Sequence, residues 1–187
     1  MRRFIALSAT ATALLVLAAL PGAGAAHASS IESLIAPASA CSGAGDAAAP
    51  PQAQKQAMLC MTNFARRHHG LDGLSGTLKL DRSAGLKSAD IIRCDSFSHE
   101  ACGRDFTFWM QRVGYIPTRC WRAGENIAWG TGAYSTVRSI FTAWMYSEDH
   151  RGNILGSYSQ IGFGLRVGGL PGRDEAHVWT QQFGLRC

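Results

Sequence analysis

Two histidines and two glutamates have side chains that could carry chemistry in this chain: His99, Glu125, Glu148 and His150. Glu125 starts an apolar, strand-like stretch, and Glu148 follows Trp144 at the spacing of one helical turn, so both carboxylates are predicted to face inward. A buried carboxylate needs a partner, and an imidazole provides one. We therefore predict that the four side chains share a shallow cleft; two unrelated salt bridges are the alternative.

Such a set could bind a divalent cation, zinc or calcium, with His99 and His150 as its expected ligands. It could equally provide general acid and base groups. Other catalytic patterns are missing from the sequence: it has no G-x-S-x-G, no H-E-x-x-H, no phosphate-binding loop and no dinucleotide-binding motif. A divalent cation is the one cofactor that the residue types suggest.

Apolar periodicity predicts the elements that must position these residues. Helices are expected over residues 52–69, 81–93 with Asp81 as N-cap, 105–113, and from Ser135 to Gly152, and strands over 125–129, 160–167 and 176–183. A glycine-rich turn joins the last two strands as an antiparallel hairpin. This order favours an α/β sandwich with helices packed on a small antiparallel sheet.

The beginning of the chain has the pattern of an export signal. Two arginines precede an uncharged apolar run at residues 4–20, and Ala26-His27-Ala28 forms an A-x-A cleavage site. We predict a signal peptide over 1–28 and a secreted, extracellular protein; a retained membrane anchor is the rival interpretation. Residues 29–51, rich in Ala, Ser, Gly and Pro, are expected to be a flexible leader before a folded domain over 52–187.

The charge balance is mildly basic. The chain has 18 Lys and Arg against 13 Asp and Glu, a formal net charge of +5. Loss of Arg2 and Arg3 with the signal peptide lowers this to about +3. No run of basic residues exceeds two, so we do not expect the protein to bind nucleic acid. A weak attraction to an anionic wall or membrane surface is open. We expect the protein to be a monomer.

Six cysteines in an exported chain predict three disulfides. Fifteen pairings are open. Loop-closure entropy favours neighbours in sequence, namely Cys41–Cys60, Cys94–Cys102 and Cys120–Cys187. A metal site built from cysteines is disfavoured because no C-x-x-C pair exists, and no cysteine is left over as a nucleophile.

Over about residues 57–183 the sequence resembles the bacterial CAP superfamily of cysteine-rich secretory proteins, antigen five and pathogenesis-related proteins, also called SCP domains. The resemblance depends on an ordered series of short motifs rather than on any one of them. They are Thr62-Asn63-Phe64-Ala65-Arg66, Phe97-Ser98-His99, Gly114-Tyr115, Gly124-Glu125-Asn126-Ile127-Ala128, His150-Arg151-Gly152-Asn153, Ile161-Gly162-Phe163-Gly164 and Trp179-Thr180-Gln181-Gln182-Phe183-Gly184.

The resemblance implies an α-β-α sandwich whose central cleft often holds two His and two Glu, sometimes around a cation. His99, Glu125 and His150 match the motif positions. Glu148 departs from the family, because many bacterial members have Ser-Pro-Gly-His where this chain has Ser-Glu-Asp-His. Asn63, Arg66 and Asn126 also match motif positions, and hydrogen-bonding braces are the role expected of them.

The resemblance and the residues together favour a secreted binding module. Its ligand would be a cation, a lipid, a cell-wall component or a protein. The alternative is an extracellular hydrolase or peptidase that uses the His/Glu cleft to activate water. A third interpretation is an interaction protein that acts through surface loops such as 114–124 and uses the cleft only as architecture.

Overall fold

The computed structural model describes residues 30–186 of the 187-residue chain. The predicted signal peptide and Cys187 lie outside the described residues. Between residues 30 and 186 no helix is long and apolar enough to cross a membrane. The same range contains five α-helices and four strands: α1 (Pro51–His68), β1 (Ser75–Gly76), α2 (Leu78–Arg93), α3 (Phe108–Arg112), β2 (Trp121–Gly130), α4 (Val137–Tyr146), α5 (Glu148–Ile154), β3 (Gln160–Leu170) and β4 (Arg173–Arg186).

The strands form one sheet in the order β1-β3-β4-β2. The predicted hairpin is present as β3 and β4, and β2 pairs antiparallel with β4 along its whole length. The two-residue strand β1 pairs parallel with β3, so the sheet is mixed rather than purely antiparallel. Within the described residues strand β2 has a neighbouring strand on one side only, which leaves its other edge free for the site described below.

Helices cover both faces of the sheet, as predicted for an α-β-α sandwich. On β4, Thr180 hydrogen-bonds Ser88 of α2, whereas the next residue, Gln181, donates to Thr62 of α1. Alternate residues of a strand point to opposite faces. Helix α2 therefore covers one face, while α1, α4 and α5 enclose the larger hydrophobic core on the other, which includes Trp144.

Helix α2 lies unusually close to β3 because two glycines make room for it. A Cβ at Gly162 would be 2.3 Å from the carbonyl carbon of Leu80, and a Cβ at Gly164 would be 2.1 Å from the carbonyl oxygen of Ala84. Any side chain there would push the helix off the sheet. The pattern Ile-Gly-Phe-Gly thus sets the depth at which α2 sits.

Several predicted helix ends differ from those in the structure. Helix α2 begins at Leu78 with Thr77 as N-cap, so the prediction of Asp81 as cap was wrong. Asp81 instead accepts a hydrogen bond from the backbone N–H of Phe163, at 2.7 Å. The helix predicted from Ser135 to Gly152 is two helices, because Ser147 has extended backbone angles between α4 and α5. Helix α3 is shorter than predicted.

The segment before α1 is packed onto the domain, which corrects the prediction of a flexible leader over 29–51. Leu34 and Ala36 are buried in the main core. Arg138 of α4 donates to the carbonyl oxygen of Ala36 at 2.6 Å. Composition rich in small residues suggested disorder, but these residues are small enough to fit against the helices. The folded domain therefore includes residues before Gln52.

Two of the predicted disulfides are confirmed, Cys41–Cys60 and Cys94–Cys102. The first ties the segment before α1 to that helix, and the second closes the loop that carries His99. Cys120 is also disulfide-bonded. Its predicted partner, Cys187, lies outside the described residues, so that pairing stays a prediction.

Candidate functional site

His99 and Glu125 form a hydrogen-bonded pair at the free edge of the sheet. His99 lies in the loop after α2 and Glu125 in the middle of β2, and the distance from Nδ1 to Oε1 is 2.8 Å. The imidazole side chain is 47% exposed, whereas the carboxylate is 1% exposed. An ionised carboxylate can only accept, so Nδ1 carries the proton. In the neutral ring this leaves the Nε2 lone pair for the cleft.

The second oxygen of Glu125 is also occupied. Gln182 faces Glu125 across the β2–β4 ladder, and its Nε2 donates to Oε2 at 2.8 Å. Glu125 is thus held between an imidazole and an amide. Sequence reasoning missed Gln182 as a site residue, although Gln182 lies in the predicted strand over 176–183 and in one of the matched motifs.

A lysine beneath the loop supports His99. Lys87 of α2 is 1% exposed, and its Nζ donates a short hydrogen bond to the carbonyl oxygen of His99. Burial lowers the pKa of Lys87, and the nearby carboxylates, chiefly Glu125, oppose that shift. This residue was also missed by sequence reasoning. Its helical spacing from Ala84 and Ile91 on the buried face of α2 was the signal that could have found it.

An amide network joins the pair to α5. Asn126, the residue after Glu125, points to the opposite face of the sheet, where its Nδ2 donates to the carbonyl oxygen of His150 at 3.0 Å. Asn153 donates to Oδ1 of Asn126 at 2.9 Å and to the carbonyl oxygen of Glu125 at 3.2 Å. The backbones of β2 and α5 are therefore fixed relative to each other.

His150 lies near His99 but not in contact with Glu125. Burial lowers the pKa of His150, the charge of His99 lowers it further, and Asp149 raises it. The structure thus brings His99 and Glu125 into direct contact. It places His150 on α5, where the backbone oxygen of His150 is joined to β2 through Asn126.

Glu148 does not join this group. Its side chain is exposed in the first turn of α5. The prediction that it faces inward assumed one continuous helix from Val137 to His150. The extended backbone at Ser147 breaks that helix and changes the direction of every later side chain, so the helical spacing from Trp144 no longer applies.

Asn63 and Arg66, the other two motif residues, lie in α1 away from the cleft. Asn63 exchanges two hydrogen bonds with the backbone of Leu74, at 3.0 and 2.7 Å. Arg66 is 3% exposed and donates to the carbonyl oxygens of Asp72 and Ile154. These contacts hold loops in place and do not reach the cleft.

Three cavities follow strand β2 and its continuation through residues 123–131. The first, of about 310 Å³, is lined by Gly124, His99 and Glu125 among others. The second, of about 300 Å³, includes His150 and Trp129, and the third, of about 420 Å³, shares Trp129 with it. The second and third cavities meet at Trp129, and exposed aromatic side chains line them: Phe97, Trp129 and Tyr134. The first cavity lies further along β2 and holds the polar His99–Glu125 pair.

The residues present do not fit a zinc site with three or four protein ligands. Within residues 30–186 no group of three or more His, Cys, Asp and Glu side chains is placed to hold a metal ion. Glu125 uses one carboxylate oxygen for His99 and the other for Gln182. The predicted pair of ligands, His99 and His150, stands without a third donor in the part of the chain that the structure describes.

Comparison with known proteins agrees with this fold and order of motifs. Residues 59–183 match the profile of the cysteine-rich secretory protein family, known as CAP. The chain belongs to the CAP family. The matched range includes His99, Glu125, His150 and Gln182, and the sequence resemblance to this family is confirmed.

A curated relative of this CAP domain is the uncharacterized protein YkwD of Bacillus subtilis. It is 34% identical over 132 residues, which is 70% of this chain and 47% of the relative. The chain thus spans about half the length of that protein, and the name of the relative assigns no activity.

Solved structures show the same fold. An extracellular SCP-domain protein from Bacillus anthracis superposes with a TM-score of 0.60 at 24% identity, covering 74% of this chain and 44% of that one. An outer surface protein from Borrelia burgdorferi gives a TM-score of 0.55 at 15% identity, covering 67% and 87%. A cysteine-rich secretory protein from Staphylococcus aureus gives 0.54 at 18%, covering 73% and 39%. At these identities the likeness concerns the fold alone.

Proposed function

We propose that this CAP domain is an extracellular binding module whose ligand lies in the cleft along β2. Export is supported by the signal-like start of the chain, by the two disulfides and by relatives described as extracellular or outer surface proteins. Disulfides persist in oxidising surroundings outside the cytosol. The domain would act after its signal peptide has been removed.

The row of three cavities along β2 is the observation that carries this proposal, and the cleft is the surface that they line together. Exposed aromatic side chains offer flat apolar surfaces, and His99 offers a fixed acceptor nitrogen at the polar end. Ligand sites generally combine an apolar lining with a few placed polar groups. A chain-like ligand would contact Trp129 and His99 at once, and the net positive charge favours an anionic surface such as a cell wall.

Binding is favoured over the alternative of hydrolysis by the state of Glu125. Both of its carboxylate oxygens already accept hydrogen bonds from protein groups. It is therefore a poor candidate for abstracting a proton from water. Among residues 30–186, no hydroxyl or thiol is hydrogen-bonded to the His99 ring as an activated nucleophile would be. An extracellular hydrolase or peptidase stays a prediction that only an assay can test.

Cosedimentation with purified, insoluble peptidoglycan tests the proposal. We expect wild-type protein to pellet with it, and His99→Ala and Trp129→Ala to pellet less. His69→Ala is the matched control, because His69 is exposed at the far end of α1. Unchanged pelleting of both cleft variants would remove the cleft from the function. Soluble fragments released by wild type but not by Glu125→Gln would favour hydrolysis instead.

The divalent cation predicted at His99 and His150 is a separate question, because two imidazoles without a third ligand would hold an ion loosely. Titration calorimetry with zinc chloride and calcium chloride checks it. If a cation binds here, its heat should disappear in His99→Ala and stay in His69→Ala. Heat that is equal in wild type and His99→Ala would remove the cation from this site.

A further inference from the structure

The disulfide Cys94–Cys102 lies at the surface and closes the loop that carries His99. Cys94 is exposed and Cys102 is partly buried. The bridge Cys41–Cys60 differs in this respect, because Cys41 is 2% exposed and belongs to the main hydrophobic core. A dissolved thiol can therefore reach a sulfur of the first bridge more easily than a sulfur of the second.

The backbone at both ends of this loop has left-handed angles. Cys102 has a φ of 60° and a ψ of 24°, and Asp95, the residue after Cys94, has a φ of 51°. A residue with a side chain keeps such angles only where the surrounding structure enforces them. Among residues 30–186 the one other non-glycine residue of this kind is Cys120, and the bridge Cys41–Cys60 has none at either end. Opening the bridge Cys94–Cys102 would allow the loop to relax.

A guanidinium lies against one sulfur of this bridge. Nη2 of Arg93 donates to Sγ of Cys102 at 3.5 Å and to Oδ1 of Asp90 at 2.5 Å. Asp90 also accepts from Arg104 at 2.8 Å, so Arg93 is not its only counter-charge. A cation beside a sulfur stabilises that sulfur as a departing thiolate, which speeds thiol–disulfide exchange. Cys102 is therefore the sulfur expected to leave when Cys94 is attacked.

Loop length does not decide which of the two bridges opens first in the folded domain. Cys94–Cys102 spans a separation of 8 residues and Cys41–Cys60 one of 19. The shorter loop closes more easily in the unfolded chain, but for the same reason its bridge stabilises the fold less. Because these two effects cancel in the folded domain, strain and access remain as the difference between the bridges.

We propose that Cys94–Cys102 is a thiol–disulfide exchange site that an external dithiol reduces while the domain stays folded. A thiolate of the dithiol attacks Sγ of Cys94, the bond between Cys94 and Cys102 breaks, and Cys102 leaves as a thiolate that takes up a proton. The second thiol of the dithiol then attacks its own sulfur in the mixed disulfide and releases Cys94 as a thiol. In total, two electrons and two protons pass to the protein, and the dithiol becomes a disulfide.

Reduction at this site would act on the polar end of the cleft through the loop. His99 keeps its hydrogen bonds to Glu125 and Lys87, but the two ends of its loop are then free to move apart. The position of His99 would thus depend on the redox state of the surroundings. The exchange reaction itself does not rest on the proposed binding function, and its test needs no ligand for the cleft.

Differential alkylation of the folded, oxidised protein tests the proposal. The protein is incubated with a series of dithiothreitol concentrations, free thiols are blocked with N-ethylmaleimide, and each cysteine is quantified by peptide mass spectrometry. We expect Cys94–Cys102 to be half open at a concentration at least about tenfold lower than Cys41–Cys60, with the near-UV circular dichroism still native. Equal midpoints, earlier opening of Cys41–Cys60, or opening only together with loss of the native spectrum would overturn the proposal.

Amide hydrogen exchange measured at the lower dithiothreitol concentration tests the effect on the loop. Exchange over residues 95–103 should be faster than in the oxidised protein, because the loop is no longer closed at its ends. Unchanged exchange in this range while Cys94–Cys102 is open would contradict the control of the loop by its bridge.

Arg93→Gln tests the direction of attack. It should slow the opening of Cys94–Cys102 by dithiothreitol about threefold or more, because the departing thiolate of Cys102 loses its cation. Arg93→Lys keeps the positive charge and should open at nearly the wild-type rate. Arg82→Gln is the matched control, because Arg82 is an exposed arginine near the other end of α2. Equal rates in Arg93→Gln and Arg82→Gln would overturn the assignment of Cys102 as the leaving sulfur.

Discussion

The indole Nε1 of Trp144 donates a hydrogen bond of 3.2 Å to the carbonyl oxygen of Ile127, at the free edge of β2. Two residues earlier, the carbonyl oxygen of Glu125 accepts from Asn153 at 3.2 Å. Unpaired strand edges invite pairing with other chains. Here side chains from α4 and α5 occupy the edge, so the helices are attached to the same strand that carries the site.

Trp144→Phe should lower the free energy of unfolding by removing this bond. The ring stays apolar and nearly fills the space, but the buried carbonyl loses its donor, which costs about 1 kcal/mol. Trp179→Phe is the control: Trp179 is fully buried, yet its Nε1 has no partner among residues 30–186. Urea denaturation should show a larger loss for Trp144→Phe. Equal losses would mean that the Ile127 bond contributes nothing.

Glu125→Gln and Glu148→Gln should have different consequences. Glu125 is buried and bonded to His99, whereas Glu148 is exposed and outside the cleft. We expect Glu125→Gln to weaken cosedimentation with peptidoglycan and to lower stability by about 1–3 kcal/mol, because a charge-assisted bond is lost. Glu148→Gln should match wild type within about 0.5 kcal/mol. If both substitutions weakened cosedimentation and stability to a similar extent, the sequence prediction that Glu148 belongs to the cleft would be supported.

The stability of the fold should fall as the pH drops through the range in which histidines titrate. Burial, and then His99, lower the pKa of His150 from its ordinary value of 6.5. The unfolded chain therefore binds this proton more readily than the folded one. Stability is full above about pH 6.5 and is lost as the pH falls toward the lower folded-state pKa.

The measurement is Tm between pH 7.5 and 5 for wild type and His150→Gln. The Tm of the variant should decline less steeply as the pH falls. The reason is that the variant lacks the His150 imidazole, which binds a proton more readily in the unfolded chain. Burial also lowers the pKa of His177. The double variant His150→Gln/His177→Gln should therefore be shallower still. Identical slopes for wild type and His150→Gln would contradict this prediction.

The two confirmed disulfides should differ in what their removal does. Cys94–Cys102 spans a separation of 8 residues and Cys41–Cys60 one of 19. From the entropy of loop closure, removal of Cys94–Cys102 should lower the free energy of unfolding by about 2.6 kcal/mol and removal of Cys41–Cys60 by about 3.3 kcal/mol. Replacing Cys94 and Cys102 by serine should also speed amide hydrogen exchange over residues 95–103 and weaken binding at His99. Replacing Cys41 and Cys60 should lower Tm but leave amide hydrogen exchange over residues 95–103 unchanged. Equal exchange rates around His99 in the two variants would contradict the idea that the Cys94–Cys102 bridge holds this loop.

Much of the fold could be predicted from the sequence because its elements have clear periodicity. The alternation in β3 and β4 predicted the hairpin, and the apolar spacing of α1 predicted that helix to within a residue. Short-range patterns suffice where one residue type repeats on one face. The boundary at Ser147 was not predictable in this way, because nothing in the apolar pattern marks the change of backbone angle.

The sequence by itself determined the types of group available: a start of the chain with the pattern of an export signal, an even number of cysteines, and His99 and Glu125 within recognisable motifs. Only the tertiary structure decided which groups meet. Gln182 reaches Glu125 across 57 positions of sequence through strand pairing, and Lys87 reaches beneath His99 because two glycines let α2 sit low on the sheet. Glu148 was excluded by a single extended residue. Such encounters depend on the register of strands and the depth of helix packing, which are set by contacts distant in the chain and not by local spacing.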